Sequence, residues 1–178
     1  MRRLAALLVF ATLTADAEAQ QRTQAGPIIT SGGAVFAVSP DLATPLDADY
    51  KVAFEIAAPS SAPERLNPTI NTVARFLNMH AQAGVPEDRL SGAIVAHGGA
   101  SFELLDDPAY RAKFGVDNPN ADLIRELIAA GQPVLLCGQS AASRGVDHGD
   151  LIPGVQVALS AMTAFLILQG DGYRVNPW

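Results

Sequence analysis

Apolar residues in this chain fall into two kinds of run that take turns. Tyr50–Ile56 alternates and is rich in β-formers, so it reads as a first strand. Ala93–Ala96, Val134–Cys137, Val155–Leu159 and Tyr173–Val175 read as four more. Between them apolar residues recur at helical spacing. Leu66, Ile70, Val73, Leu77 and Ala81 form one such series, opened by Asn67-Pro68 and stopped by Gly84 and Pro86. Leu123, Ile124, Leu127 and Ile128 form another, with Asn118-Pro119 as its cap and Gly131 after its end. Ser160 caps a last helix that runs to Gln169. Ser101–Leu105 and Pro108–Phe114 read as short helical turns, and Gln139–Gly145 as a short helix.

Strands that alternate with helices predict an α/β fold. Most of these strands are apolar without interruption, which predicts a mostly parallel five-stranded sheet with helices on both faces. The chain holds 178 residues, which fits one domain.

The first residues predict something other than fold. Arg2-Arg3, an apolar stretch from Leu4 to Thr14, and Ala17-Glu18-Ala19 match a secretory signal peptide over residues 1–19. The apolar stretch is too short to cross a bilayer. Residues 20–49, punctuated by glycine and proline, read as an extended N-terminal arm with a short strand at Ala34–Val38. Such an arm either wraps a neighbouring subunit or trails as a tail. The main domain is then 50–178. The expected location is periplasmic or secreted, with no membrane attachment after signal cleavage.

Composition narrows the partners. The net charge is −6 and the signal segment carries two arginines against Asp16 and Glu18, so its removal leaves the balance unchanged. An acidic chain without basic clusters fits neither nucleic acid nor an anionic membrane. Nearly half the residues are hydrophobic, enough for a buried core.

Cys137 is the single cysteine. In an exported chain it is buried and inert, paired between chains, or a reactive thiol. It ends a predicted strand and precedes Gly138-Gln139-Ser140, which open a helix. A thiol at a helix N-terminus faces unpaired N–H groups and the positive end of the dipole, which favour the thiolate. Gln139, Ser140 and Arg144 either donate to a sulfur or oxyanion there, or simply cap and solvate the turn. His97-Gly98-Gly99 ends the second strand. Its glycines either form an N–H nest for an anion or make a tight turn. Both clusters fall at carboxyl ends of strands, where open α/β sheets bind ligands. His80 reads as packing or surface, and His148 as exposed. The histidines and the cysteine have no metal-binding spacing, and no cofactor fingerprint is present.

Several segments together resemble the DsrE/DsrF-like family. They are Asn71–Asn78, Val95–Ala100, Asp117–Asn120, Leu136–Ser140, Gly154–Thr163 and Gly172-Tyr173. The resemblance is to the exported, signal-peptide-bearing branch and covers about Tyr50 to Trp178. It implies a three-layer αβα sandwich that assembles as a homo-oligomer, a trimer or hexamer. It also implies sulfur relay, with sulfane sulfur carried as a persulfide on Cys137; from its place at the end of the neighbouring strand, His97 is expected to assist. Gly98, Gly99, Gly138, Gln139, Ser140 and Arg144 then line the site. The expected activity is that of a sulfurtransferase-like carrier more than a turnover enzyme. Its donor and acceptor are a protein or a small sulfur compound, and no metal or cofactor is called for. The alternative is an oligomeric module that binds a small molecule or metal without sulfur transfer.

Overall fold

The computed structural model describes residues 26–176. The expected signal peptide lies outside the described residues. The elements follow in the order β1 (Tyr50–Ile56), α1 (Pro68–Gln82), β2 (Leu90–Ala96), α2 (Asp107–Phe114), α3 (Ala121–Ala129), β3 (Val134–Cys137), α4 (Gly138–Arg144), β4 (Gln156–Ala158), α5 (Ala161–Gly170) and β5 (Arg174–Asn176). A 3-10 segment, Gly98–Leu104, leaves the end of β2. The strands form one sheet in the order β4-β3-β2-β1-β5, and every pairing is parallel. The last crossover therefore runs from one edge of the sheet to the other.

Alternation within the strands sorts residues between two cores. Phe54, Ile56, Ile94, Val134 and Leu136 meet α1 and α3 on one face. Ala53, Ala93, Val95, Leu135 and Ala158 meet Ala164 and Leu168 of α5 on the other. The second face is floored largely by alanines, so α5 lies close to the strands. This is the three-layer αβα arrangement, with two long helices on one side and one on the other.

Asn67 caps α1 through its side chain, and Ser160 caps α5 by accepting from the Thr163 amide at 3.1 Å. Asn118 departs from the expected cap. Helix α3 starts only at Ala121. The Asn118 amide instead donates to the carbonyls of Glu103 (2.8 Å) and Leu105 (2.6 Å), and its oxygen accepts from Asn120 N–H at 2.9 Å. Its polar atoms are spent on tertiary structure rather than on the first turn. They belong to a buried network around Glu103, which is 2% exposed. One carboxylate oxygen accepts from Ser60 N–H at 2.6 Å and the other from the Asn120 amide. Asn120 in turn accepts from Asn67 N–H at 2.7 Å. Burial, and then the charge of Glu103, push the nearby Tyr110 hydroxyl up to about 12.

Residues 26–35 fold back on the same chain. The short strand expected at Ala34–Val38 reduces to a single bridge residue, Phe36. Ile29 is fully buried. Buried Asn78 of α1 accepts from Ile28 and Ile29 N–H and donates to the carbonyls of Ile29, Gly32 and Gly33. Glu126 of α3 accepts from Thr30 N–H (2.7 Å) and Oγ1 (2.8 Å), from Ser31 N–H (2.8 Å), and from the Ser31 hydroxyl.

Partial burial of Glu126 would raise its pKa, but these donors outweigh it and hold the carboxyl at about 2. A carboxyl depressed on folding stabilises the native state above its unfolded pKa and loses that contribution as pH falls toward its folded one. The strap should stay protected against amide exchange down to about pH 4.5 and lose protection between there and about 2. Glu126→Ala should remove that protection at neutral pH, at a cost on the order of 1 kcal/mol after solvent screening. Exchange at Thr30 and Ser31 that is identical in variant and wild type would contradict this.

Candidate functional site

Three side chains project from the carboxyl edge of the sheet on the α5 face. Glu55 is the penultimate residue of β1, His97 follows the last residue of β2, and Cys137 ends β3. Register explains their meeting. Glu55 pairs with Val95 and Ala96 with Leu136, so Glu55 and His97 are diagonal neighbours on one face, with Cys137 next in the row. His97 Nε2 lies 2.9 Å from Glu55 Oε1. Together with Gln139, Ser160, Ala161, Met162 and Phe165 they line a pocket of about 290 Å³. A larger cleft of about 560 Å³ lies between α5 and the β3–β4 edge near the amino end of β3. Its lining has no thiol, serine-type hydroxyl or imidazole, whereas the smaller pocket holds both a thiol and an imidazole.

Cys137 is 6% exposed and occupies the N-cap position of α4. Burial alone would raise its pKa. The Ser140 hydroxyl and the N–H groups of Ser140, Ala161 and Gln139 overcome that and bring the pKa below the ordinary thiol value. Two helices therefore aim donors at one sulfur. Gln139 and Ser140 belong to the first turn of α4, and Ala161 opens α5. Ser140 is itself set by the 3-10 segment, since its Oγ accepts from Gly98 N–H at 3.1 Å.

The glycines serve shape. Gly98 has φ of +56°, a conformation that a side chain would strain. Gly99 packs against Pro59, and Gly138 stands where a Cβ would come within 2.6 Å of the Ala158 carbonyl. All three glycines and Ser140 lie outside the pocket lining, which of the expected lining residues includes only Gln139, so the chain turn of His97-Gly98-Gly99 sets Ser140 rather than presenting a nest to the pocket. Arg144 is also outside. It is exposed at the far end of α4, bonded to Ser143 at 3.2 Å, because a helix carries its last residue away from its cap. His80 packs between Tyr50 and Phe76, and His148 is exposed.

Sequence reasoning missed Glu55, Ala161, Met162 and Phe165. The signal for Glu55 was present: it is the one charged residue opposite the apolar face of β1 near that strand's end. The α5 residues had no local signal, because their approach depends on β4 pairing with β3. Among the described residues, no three His, Cys, Asp or Glu side chains converge as a metal site would require.

The DsrE/DsrF-like family profile matches residues 51–177. No curated protein matches the sequence. Among solved structures, the protein of unknown function MTH1491 from Methanobacterium thermoautotrophicum aligns with a TM-score of 0.51 at 21% identity, over 72% of this chain and 98% of its own. The ychN protein from E. coli aligns with a TM-score of 0.50 at 19% identity, over 71% and 96%. At such identities the likeness to these structures is one of fold.

Removing the hydroxyl donor should weaken the thiolate. Ser140→Ala is expected to shift the pH profile of iodoacetamide labelling at Cys137 upward. Gly138→Ala is expected to lower the melting temperature as well, since the added methyl meets backbone. A Ser140→Ala profile that overlays wild type would show that the hydroxyl does not set this thiol.

Proposed function

The chain belongs to the DsrE/DsrF-like family, and from that premise we propose that it is an exported carrier of sulfane sulfur, held as a persulfide on Cys137. One observation supports this most: donors from two helix starts and one hydroxyl converge on the single thiol inside a pocket. The arrangement favours thiolate, and the thiolate is the nucleophile of sulfur exchange.

In the proposed step, Cys137 thiolate attacks the outer sulfur of a persulfide R–S–SH. The S–S bond of the donor breaks as a new one forms. The products are Cys137–S–SH and R–S⁻, with no net oxidation. His97, oriented by Glu55, supplies a proton to the departing thiolate or removes one from the incoming group. Delivery to an acceptor thiol is the same exchange in reverse. The site needs no cofactor for it.

The pocket lining also bears on the donor. Its titratable members are Glu55, His97 and Cys137, with no lysine or arginine among them. An anionic oxosulfur donor such as thiosulfate would meet the Glu55 carboxylate and a thiolate. An alkyl persulfide, with an apolar R group against Met162 and Phe165, fits better. Export to the periplasm and assembly as a homo-oligomer, a trimer or hexamer, complete the reading.

Intact mass before and after reductant tests it. Wild type exposed to an alkyl persulfide is expected to gain one sulfur that reductant removes, and faster than from thiosulfate. Cys137→Ser should gain none. His97→Ala should slow uptake about tenfold or more. Full sulfur acceptance by Cys137→Ser would sink the proposal. Ligand-induced thermal stabilisation that survives Cys137→Ala would favour a binding module without sulfur transfer.

A further inference from the structure

The Cys137 pocket holds more than sulfur exchange uses. Moving a sulfane sulfur between thiols needs a thiolate and a mobile proton, and it consumes no water. The pocket also carries a carboxylate that holds an imidazole, Glu55 Oε1 against His97 Nε2 at 2.9 Å. Register sets this pair beside the thiol. Ala96 pairs with Leu136, so one step further along both strands His97 stands opposite Cys137, with neighbouring strands about 4.8 Å apart. Carboxylate, imidazole and thiol thus follow one another along one edge, in the order of orienter, base and nucleophile.

The carboxylate also fixes a tautomer. An ionised carboxylate can only accept, so in a neutral His97 the proton sits on Nε2 and Nδ1 is bare. Donors for a developing charge are present too. The Ser140 hydroxyl and the N–H groups of Gln139, Ser140 and Ala161 bond the Cys137 sulfur. A thiolate that attacks a carbonyl loses its charge, which reappears on the neighbouring carbonyl oxygen. The same donors are then released by the sulfur beside the new oxyanion.

We infer that this pocket also catalyses acyl transfer: Cys137 takes the acyl group from a thioester of a short, uncharged, apolar acid, and His97 directs water onto it. In the first half His97 Nδ1 takes the Cys137 proton and the sulfur attacks the carbonyl carbon. A C–S bond to Cys137 forms, the C–S bond to the leaving thiol breaks, and the proton passes to the departing sulfur. In the second half Nδ1 removes a proton from water and the hydroxide adds to the acyl carbon. The bond to Cys137 breaks and its sulfur recovers the proton. Thioester and water become acid and thiol, with no change of oxidation state. Glu55 touches no substrate here and is a positioning residue for His97.

The pocket selects the substrate class. At about 290 Å³ it lies at the small end for ligand sites. Ala161, Met162 and Phe165 give it apolar walls, and no lysine or arginine is there to meet a charged acyl tail. A thiolate leaves more readily than an alkoxide, which suits a site whose proton donor is an imidazole. The activity shares its thiol with the carrier reading but does not depend on sulfane sulfur.

The test uses the full chain and the butyryl thioester of para-nitrothiophenol, whose release is coloured. Wild type is expected to release a burst of about one thiol per chain, to carry a butyryl group on Cys137 by intact mass, and then to turn over steadily. Cys137→Ala should lose burst and turnover. His97→Ala should still acylate but turn over about a hundredfold more slowly, while iodoacetamide labelling, which needs only the thiolate, changes far less. Glu55→Gln should lower kcat about tenfold with KM unchanged, and Glu55→Asp should restore part of it. The succinyl thioester of the same thiol should react several-fold more slowly, and equal rates would overturn the substrate class. Should a variant misfold, wild type decides alone, since butyryl-Cys137 must deacylate far faster than a butyrylated cysteine peptide in the same buffer. An acyl group that stays on Cys137, or turnover that His97→Ala leaves intact, overturns the activity. Persulfide uptake on the same samples separates the two readings. Uptake with a stable acyl adduct removes acyl transfer alone, and turnover without uptake removes the carrier reading alone.

Discussion

All five strands of the sheet run the same way. Parallel pairing sends every strand's carboxyl end to one edge, and each following segment must begin there. Backbone N–H groups that no helix or strand consumes collect at that edge as a result. Cys137 sits among them, with donors from α4 on its own chain segment and from α5 across the sheet. In an antiparallel sheet of the same strands, α4 and α5 would not both start at the thiol.

The site is held from behind by a satisfied polar network rather than by apolar packing alone. Glu103 is taken out of water, which is costly unless the carboxylate is fully bonded. Ser60 N–H and the Asn120 amide each donate to one of its oxygens, from two separate segments, and Asn118 holds the Glu103 backbone carbonyl beside them. The 3-10 segment that carries Gly98 is thereby fixed at its other end, and Gly98 fixes Ser140. A chain of specific contacts thus runs from a buried acid to the group that tunes the sulfur.

Local chemistry made much of this legible. Strand positions, the Asn67 and Ser160 caps and the thiol at a strand–helix junction all follow from residues close in sequence. What stayed hidden depends on strand order, which local pattern does not encode. Glu55 meets His97 only because β1 and β2 are neighbours, and Ala161 reaches Cys137 only because β4 closes on β3. Arg144 shows the reverse error. Its nearness in sequence suggested a role, but seven residues of helix carry it away. Asn118 has the form of a cap, yet a buried carboxylate competes for the same side-chain atoms and prevails.

The strap at residues 26–35 implies an order of events. Its anchors, Asn78 and Glu126, lie 49 and 96 residues from the groups they bind. Loops of that length close at an entropic cost that only an already formed partner surface can repay. During synthesis the strap emerges long before α3 exists. It can lock only after α1 and α3 have packed side by side, because it binds Asn71 and Asn78 of the one and Glu126 of the other. Among the described residues the first segment to be made is therefore the last to settle, and its closure marks the completion of the helical layer beneath it.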